Sequence, residues 1–142
     1  MQFYKKIAKH YDEMTDAAQR RARADGFVDA LSARYRFSSA LDVACGTGVY
    51  AMALAAREEM TRVVGTDISE PMLHVARQRS TEQNLEVEWL HAPMQELSTR
   101  VDQTYDLILC LGNSIPHLLT EAELNATLKG FHKLLNPAGH AA

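Results

Sequence analysis

The stretch SALDVACGTGVYAMALA, residues 39–55, decides the fold. A short apolar run carrying one acid, Asp42, meets the glycine turn Gly46-Thr47-Gly48 and then an alanine-rich run of helical character. Strand, glycine turn and helix in succession let a backbone approach a small ligand closely, because glycine reaches left-handed dihedrals and presents no Cβ. Outward from this stretch the chain alternates. Downstream, strands are predicted over 62–66, 86–90 and 105–111, and helices over 49–57, 69–83 and 121–135. Ser69 caps one helix, with Glu70 and Pro71 in its first turn, and Thr120 with Glu123 three residues on opens another. Leu107-Ile108-Leu109 reads as a strand buried on both faces, and Asn136-Pro137-Ala138-Gly139 as a turn that stops the last helix. Upstream, Phe3, Ile7, Tyr11 and Met14 recur at helical spacing, and a further helix is predicted over 17–35 with Phe27, Val28 and Leu31 on its apolar face. Strands alternating with helices make an α/β, Rossmann-like, doubly wound parallel sheet. The expected division is a lid-like helical segment over 1–36 and a ligand-binding domain over 37–142.

A chain of 142 residues suits a single core. Its net charge of −3 offers no general attraction to nucleic acid or to an anionic membrane. The basic cluster Arg20, Arg21 and Arg23 reads as a solvated helix face. Cys45 and Cys110 stand far apart, outside any CxxC spacing, and read as reduced, buried thiols. The histidines are scattered without an HExxH pattern, so no metal is expected. No apolar run approaches a membrane span, and the first residues lack the apolar region of a signal peptide. The expectation is a cytoplasmic protein with neither nucleic-acid nor membrane partner.

Two ligand classes use a strand–glycine turn–helix. Gly46 to Ala51 matches GxGxxA, and Asp67 follows the turn by about 20 residues, where an acid binds ribose hydroxyls in dinucleotide folds. That supports an NAD-type reading. Asp42 opposes it, since a pyrophosphate beside a partly buried carboxylate meets repulsion on the order of several kcal/mol. S-adenosylmethionine carries an ammonium, a sulfonium and a ribose, and gains from the same two acids. The alternative for Asp42 is that it only caps backbone amides of the turn.

These residues form a set that resembles the class I S-adenosylmethionine-dependent methyltransferases. The first motif is Leu41-Asp42-Val43-Ala44-Cys45-Gly46-Thr47-Gly48, and the second is Val64-Gly65-Thr66-Asp67-Ile68-Ser69 followed by Pro71-Met72-Leu73. Tyr105 to Leu111 corresponds to the fourth strand, and Leu134-Leu135-Asn136-Pro137-Ala138-Gly139 to the end of the next helix. Within the family, Asp42 to Gly48 together with Leu111-Gly112-Asn113-Ser114 and His117-Leu118 is similar to glycine and sarcosine N-methyltransferases. The resemblance implies that Asp42, Ala44, Gly46 and Gly48 line the methionine part of the cofactor, that Asp67 binds the ribose with Ile68 and Met72 beside it, that Met94 lies against the adenine, and that Leu111 touches the cofactor from the next strand end. It implies that Tyr4 and Tyr11 close the pocket, that Arg20 or Arg21 holds a substrate carboxylate, and that Asn113, as the catalytic residue, orients the acceptor. His117 is either a general base or a hydrogen-bonded structural residue. The implied reaction is in-line attack of a neutral small-molecule amine on the activated methyl carbon, driven mainly by positioning.

Two departures from the family pattern stand out. Pro93 occupies the place where an acid commonly reads the adenine amino group, and Ala44 replaces the first glycine of the commonest motif. Asn113-Ser114-Ile115-Pro116 lacks the adjacent prolines and stacking aromatic of adenine-directed DNA methyltransferases. Three function classes stay open: a methyltransferase, a cofactor-binding inactive module and a dinucleotide enzyme.

The family's seven-stranded sheet flanks its fourth strand with the first and the fifth. Here the chain ends at His140-Ala141-Ala142 just after the expected turn. The expectation is therefore a C-terminally truncated domain with one edge of 105–111 bare, and little turnover as a lone monomer. Such an edge is covered by a second copy, giving a homodimer, or drives aggregation.

Overall fold

The structure is a computed structural model, and it describes residues 17–111 and 120–142. Its elements are α1 (Ala17–Arg34), β1 (Ser39–Val43), α2 (Val49–Ala55), β2 (Arg62–Asp67), α3 (Glu70–Glu82), β3 (Glu88–His91), a 3₁₀ turn (Met94–Glu96) running into α4 (Leu97–Arg100), β4 (Tyr105–Leu109), α5 (Glu121–Leu134) and β5 (Leu135–Ala141). The strands form one parallel sheet in the order β3-β2-β1-β4-β5. From β1 the chain builds outward to β2 and β3 on one side, then returns to lay β4 on the other. The order reverses between β1 and β4, and in such sheets ligands bind outside the carboxyl ends of the strands at that point.

Strand alternation sorts the core onto two faces. Leu41, Val43, Val64 and Ile108 pack with Met94, Leu97, Phe131 and Leu134 on one side. Ala40, Val63, Leu107 and Leu109 pack with Val28, Ala51 and Leu54 on the other. Helix starts follow their caps. The Ser69 hydroxyl accepts the Met72 N–H at 3.3 Å with Pro71 in the first turn. Thr120 and Glu123 form a reciprocal capping box on α5. Of the segment expected to be lid-like, the described part is α1, whose Ala24 and Val28 are buried against α2. Among the described residues no helix is long and apolar enough to cross a membrane.

The bare edge expected on β4 is not found. Residues from Leu135 onward form β5 and pair with it in parallel, Tyr105 with Leu135, Leu107 with His140 and Ile108 with Ala141. The Ala142 N–H then donates to the Ile108 carbonyl at 2.8 Å, and the Cys110 N–H to the Ala142 carbonyl at 2.7 Å. The stretch expected to be a turn, Asn136-Pro137-Ala138-Gly139, lies in a register irregularity between two paired positions. Pro137 is tolerated there because the outer strand of a sheet can lack a ladder donor. A side-chain clamp holds the irregularity in place. Asp106 accepts the Asn136 side-chain amide at 2.6 Å and, on its other oxygen, the Ser38 N–H at 2.9 Å and the Ser38 hydroxyl at 3.2 Å. The argument for a homodimer through β4 therefore loses its premise, since the chain's own residues cover that edge.

Candidate cofactor-binding site

Beyond Val43 the backbone takes three left-handed steps in five residues, at Ala44 (φ 55°), Gly46 (φ 59°) and Gly48 (φ 84°). Glycine is at ease in that region; Ala44 is not, and its Cβ there costs about 1–2 kcal/mol. A Cβ placed on Gly46 would meet nothing within 4 Å, so open space borders the turn at that residue. The Gly46 N–H donates to Oδ2 of Asp67 at 2.8 Å, and Oδ1 of the same carboxylate accepts the Ser69 N–H at 2.8 Å. An ionised carboxylate offers about four acceptor positions, so these two bonds leave capacity for ribose hydroxyls.

Beneath the turn lies Asp42, 3 % exposed. Burial raises its carboxyl from 3.8 to about 7; the Ala51 N–H in the first turn of α2 pulls the other way, and the charge of Asp67 pushes further up. Ala51 lies within α2, beyond the glycine turn whose amides the alternative for Asp42 named, and as pH rises through about 7 the carboxyl places negative charge under the turn. Cys45 titrates well above the ordinary thiol range, first through burial and then through Asp42 and Asp67. Cys110 is pushed up to about 11 by burial and by Asp42. Burial comes first for both thiols, and the negative field of Asp42 adds to each. Such a field opposes a pyrophosphate and favours a ligand with a positive end. The residues present fit S-adenosylmethionine, with Asp67 for the ribose and Asp42 for the field at the cationic end.

The structure brings Asp42, Ala44, Gly46, Gly48 and Asp67 together. Ile68 follows with 42 % of its surface exposed, an apolar face next to Asp67. Met72 is half-buried in the first turn of α3. Leu111 is half-buried beyond the end of β4, packed on the α2 side of the sheet. Met94 departs from expectation. It is 4 % exposed and packs into the core with Leu97, Phe131 and Leu134, so its side chain is not a platform for a base. The 3₁₀ turn after Pro93 puts positions 94 and 97 on one side, and both face inward.

Arg21 departs too. Its guanidinium donates to the Gln83 side chain at 3.0 Å, at the C-cap of α3. At 1.5 Å per residue, that end lies roughly 20 Å from Ser69 and the ribose acid. Arg20 and Arg21 line a crevice of about 580 Å³ with Asp25, Met52, Arg79 and Glu82, between α1, α2 and the end of α3. Tyr4, Tyr11, Asn113 and His117 lie outside the described residues.

Sequence reasoning missed His91. It ends β3 as the register partner of Asp67. Its Nε2 lies 2.8 Å from the Ile68 carbonyl and its Nδ1 3.6 Å from the Glu70 carboxylate, which also pairs with Arg77. The ring thus pins the loop that carries Ile68. Aligning the ends of adjacent parallel strands would have found it.

The comparisons agree with this geometry. The model of a methyltransferase domain family matches residues 40–139. A glycine/sarcosine N-methyltransferase from Halorhodospira halochloris is 32% identical over 91% of this chain and 47% of its own length. A dTDP-3-amino-3,6-dideoxy-alpha-D-glucopyranose N,N-dimethyltransferase from Streptomyces fradiae is 35% identical over 72% of this chain and 37% of its own. Among solved structures, an amino pentose methyltransferase from Micromonospora echinaspora with S-adenosylmethionine bound superposes with a TM-score of 0.72 at 28% identity, over 86% of this chain and 49% of that one. The chain thus spans about half the length, or less, of the relatives it matches. With a parallel β3-β2-β1-β4-β5 sheet, the glycine turn and its two acids in place, the chain belongs to the methyltransferase-domain family, in the class that depends on S-adenosylmethionine.

Proposed function

We propose that this chain forms the cofactor-binding half of a methyltransferase acting on a small-molecule amine. The observation that carries the reading is the pair of carboxylates at one turn: Asp67, holding the Gly46 N–H, and Asp42, buried beneath it. When bound, S-adenosylmethionine supplies a methyl group already activated by its sulfonium. The chain's own part is to hold and orient. Asp67 takes the ribose through its remaining acceptor positions. The left-handed turn from Ala44 to Gly48 lets the backbone come close, and Asp42 favours the cationic end over a neutral one. Ile68 gives the base an apolar neighbour. Asn113, beyond β4, orients the amine of the acceptor. Positioning and exclusion of water account for most of the rate in such a transfer, because little acid–base work is left to do.

The amine preference is supported by relatives that are a glycine/sarcosine N-methyltransferase and an amino-sugar N,N-dimethyltransferase. The test is isothermal titration with S-adenosylmethionine, its demethylated product and NAD, followed by a turnover assay on small amines. Tight binding of S-adenosylmethionine with NAD silent is expected. Tighter binding of NAD overturns the reading. Binding without turnover on any amine, in a chain extended to the length of its relatives, leaves the inactive-module reading instead.

A further inference from the structure

Gly65 lies in the middle of β2 and has no left-handed backbone to explain it. What it makes room for is its register partner, Trp89 of β3. A Cβ on Gly65 would stand 2.5 Å from Cζ3 and 2.6 Å from Cε3 of the indole. A Cβ on Gly48 would stand 2.4 Å from Cη2 of the same ring and 3.3 Å from the Cβ of Ala76. The indole therefore crosses β2 and ends against the residue where the glycine turn becomes α2. Its far edge is tethered: Nε1 donates to the Ser80 hydroxyl at 3.1 Å, and that hydroxyl donates to the Arg77 carbonyl at 3.1 Å. Ser80 is buried, so the tether is shielded from water. One side chain thus touches β2, which ends in Asp67, the start of α2, where the glycine turn closes, and the inner face of α3.

We propose that Trp89 is a positioning residue for cofactor binding: its indole, wedged against Gly48 and Gly65 and tied to Ser80, fixes where the Gly46 N–H stands relative to Asp67. The proposal rests on the reading of this turn as the S-adenosylmethionine site. Trp89 touches no reacting atom. It acts through the turn, so its removal changes affinity for the cofactor and leaves the chemical step alone. A planar ring suits the task, because it fills two missing Cβ positions at once and has few ways to rearrange.

The experiment is calorimetric titration of S-adenosylmethionine into the wild-type chain and into Trp89→Phe, Trp89→Ala, Ser80→Ala, Gly65→Ala and the double variant Trp89→Phe/Gly65→Ala, each checked for folding by far-UV circular dichroism. Trp89→Ala is expected to raise Kd tenfold or more, Trp89→Phe less, and Ser80→Ala about threefold. Gly65→Ala forces the indole aside and is expected to raise Kd as Trp89→Ala does. In the Phe background, where the ring edge over position 65 is gone, the same added methyl meets only Cys45 Sγ, at 3.2 Å, and is expected to raise Kd by markedly less than it does beside Trp89. That coupling distinguishes positioning from general destabilisation, which would add in both backgrounds. Because this is the single tryptophan of the chain, its emission in the wild type should shift on titration with the same Kd as the heat signal. If Trp89→Ala does not fold, the Phe and Ser80 variants and the coupling decide. Unchanged Kd in the folded Trp89 variants, or full additivity, overturns the proposal. A folded wild-type chain that binds no S-adenosylmethionine overturns the underlying reading of the site as well.

Discussion

The N–H of Gly46 and the Oδ2 of Asp67 stand 2.8 Å apart across 21 positions of sequence, and that bond joins the turn after β1 to the end of β2. One carboxylate therefore holds the turn in place and, in the proposed site, is also the group that takes the ribose. Asp67→Ala removes the acceptor for both the Gly46 and Ser69 N–H groups. It is expected to weaken S-adenosylmethionine binding by about 1.5–3 kcal/mol, the worth of a hydrogen bond to a charged group, and to lower the unfolding free energy by about 1–3 kcal/mol. Asp67→Asn, which keeps one acceptor oxygen, should recover part of the stability and little of the affinity. Titration calorimetry and urea denaturation separate the two effects, and unchanged binding in the Ala variant would remove Asp67 from the site.

The buried Asp42 sets a pH dependence whose sign is fixed. Its carboxyl is raised from 3.8 to about 7, so the folded chain holds a proton there that the unfolded chain releases. Stability from this group is fully present below about pH 4 and is lost as pH rises toward 7, by a few kcal/mol at most. Asp42→Asn is isosteric and cannot ionise. It should unfold at higher urea than wild type at pH 8 and show no advantage at low pH. Affinity moves the other way. Wild type should bind S-adenosylmethionine more tightly as pH rises through about 7, and the Asn variant should bind weakly with no such rise. A flat wild-type binding profile between pH 6 and 8 would contradict the assignment.

Ala44 sits at φ 55°, where glycine is free and alanine is strained. Ala44→Gly relieves about 1 kcal/mol of strain and gives back a similar amount through the greater freedom of the unfolded chain. Its stability should lie within about 0.5 kcal/mol of wild type, unlike a glycine placed in an ordinary helix. Ala44→Val should lose about 2 kcal/mol, since a β-branched residue tolerates that region poorly. Thermal denaturation of the pair checks the backbone assignment independently of any ligand.

Cys45 and Cys110 should be sluggish nucleophiles although neither is fully enclosed. With Cys110 at about 11 instead of 9.0, its thiolate is scarcer by about a hundredfold at neutral pH. Alkylation by iodoacetamide at pH 7.5, followed by mass spectrometry, should be at least a hundredfold slower than for free cysteine. Fast labelling of Cys45 would mean that the field at the turn is not negative.

The elements legible in the sequence were those written in local patterns. The caps Ser69 and Thr120, the apolar run at Leu107-Ile108-Leu109, and the glycine turn with its acid at Asp67 each announce themselves within a few residues. What escaped was decided by contacts between distant segments. Leu135 to Ala141 holds a proline and a glycine and shows no strand alternation; only the ladder to β4 and the Asp106 clamp make it a strand. Met94 is a ligand contact only by the resemblance, at a place where Pro93 already departs from the family pattern, and the geometry of the 3₁₀ turn sends it into the core. The substrate role of Arg20 or Arg21 is implied only by the resemblance, and the packing of α1 carries the tip of Arg21 to Gln83. His91 and Trp89 matter only through the register of β3 on β2, which no single segment reveals.

The Asp106 clamp bears on the order of assembly. Asp106 and Ser39, joined by a bond from the Asp106 N–H to the Ser39 hydroxyl at 2.9 Å, are 67 positions apart. The β1-β2-β3 half of the sheet pairs segments that follow one another, and closes short loops. β4 instead returns to the far side of β1, a pairing of long sequence separation and therefore slow to form. The switch point of the sheet lies between those two strands, so the turn after β1 gains its neighbour Leu111, beyond β4, only once the late step is complete. A ligand of the finished switch point then holds the two halves together by mass action, and the refolded fraction should rise with cofactor concentration.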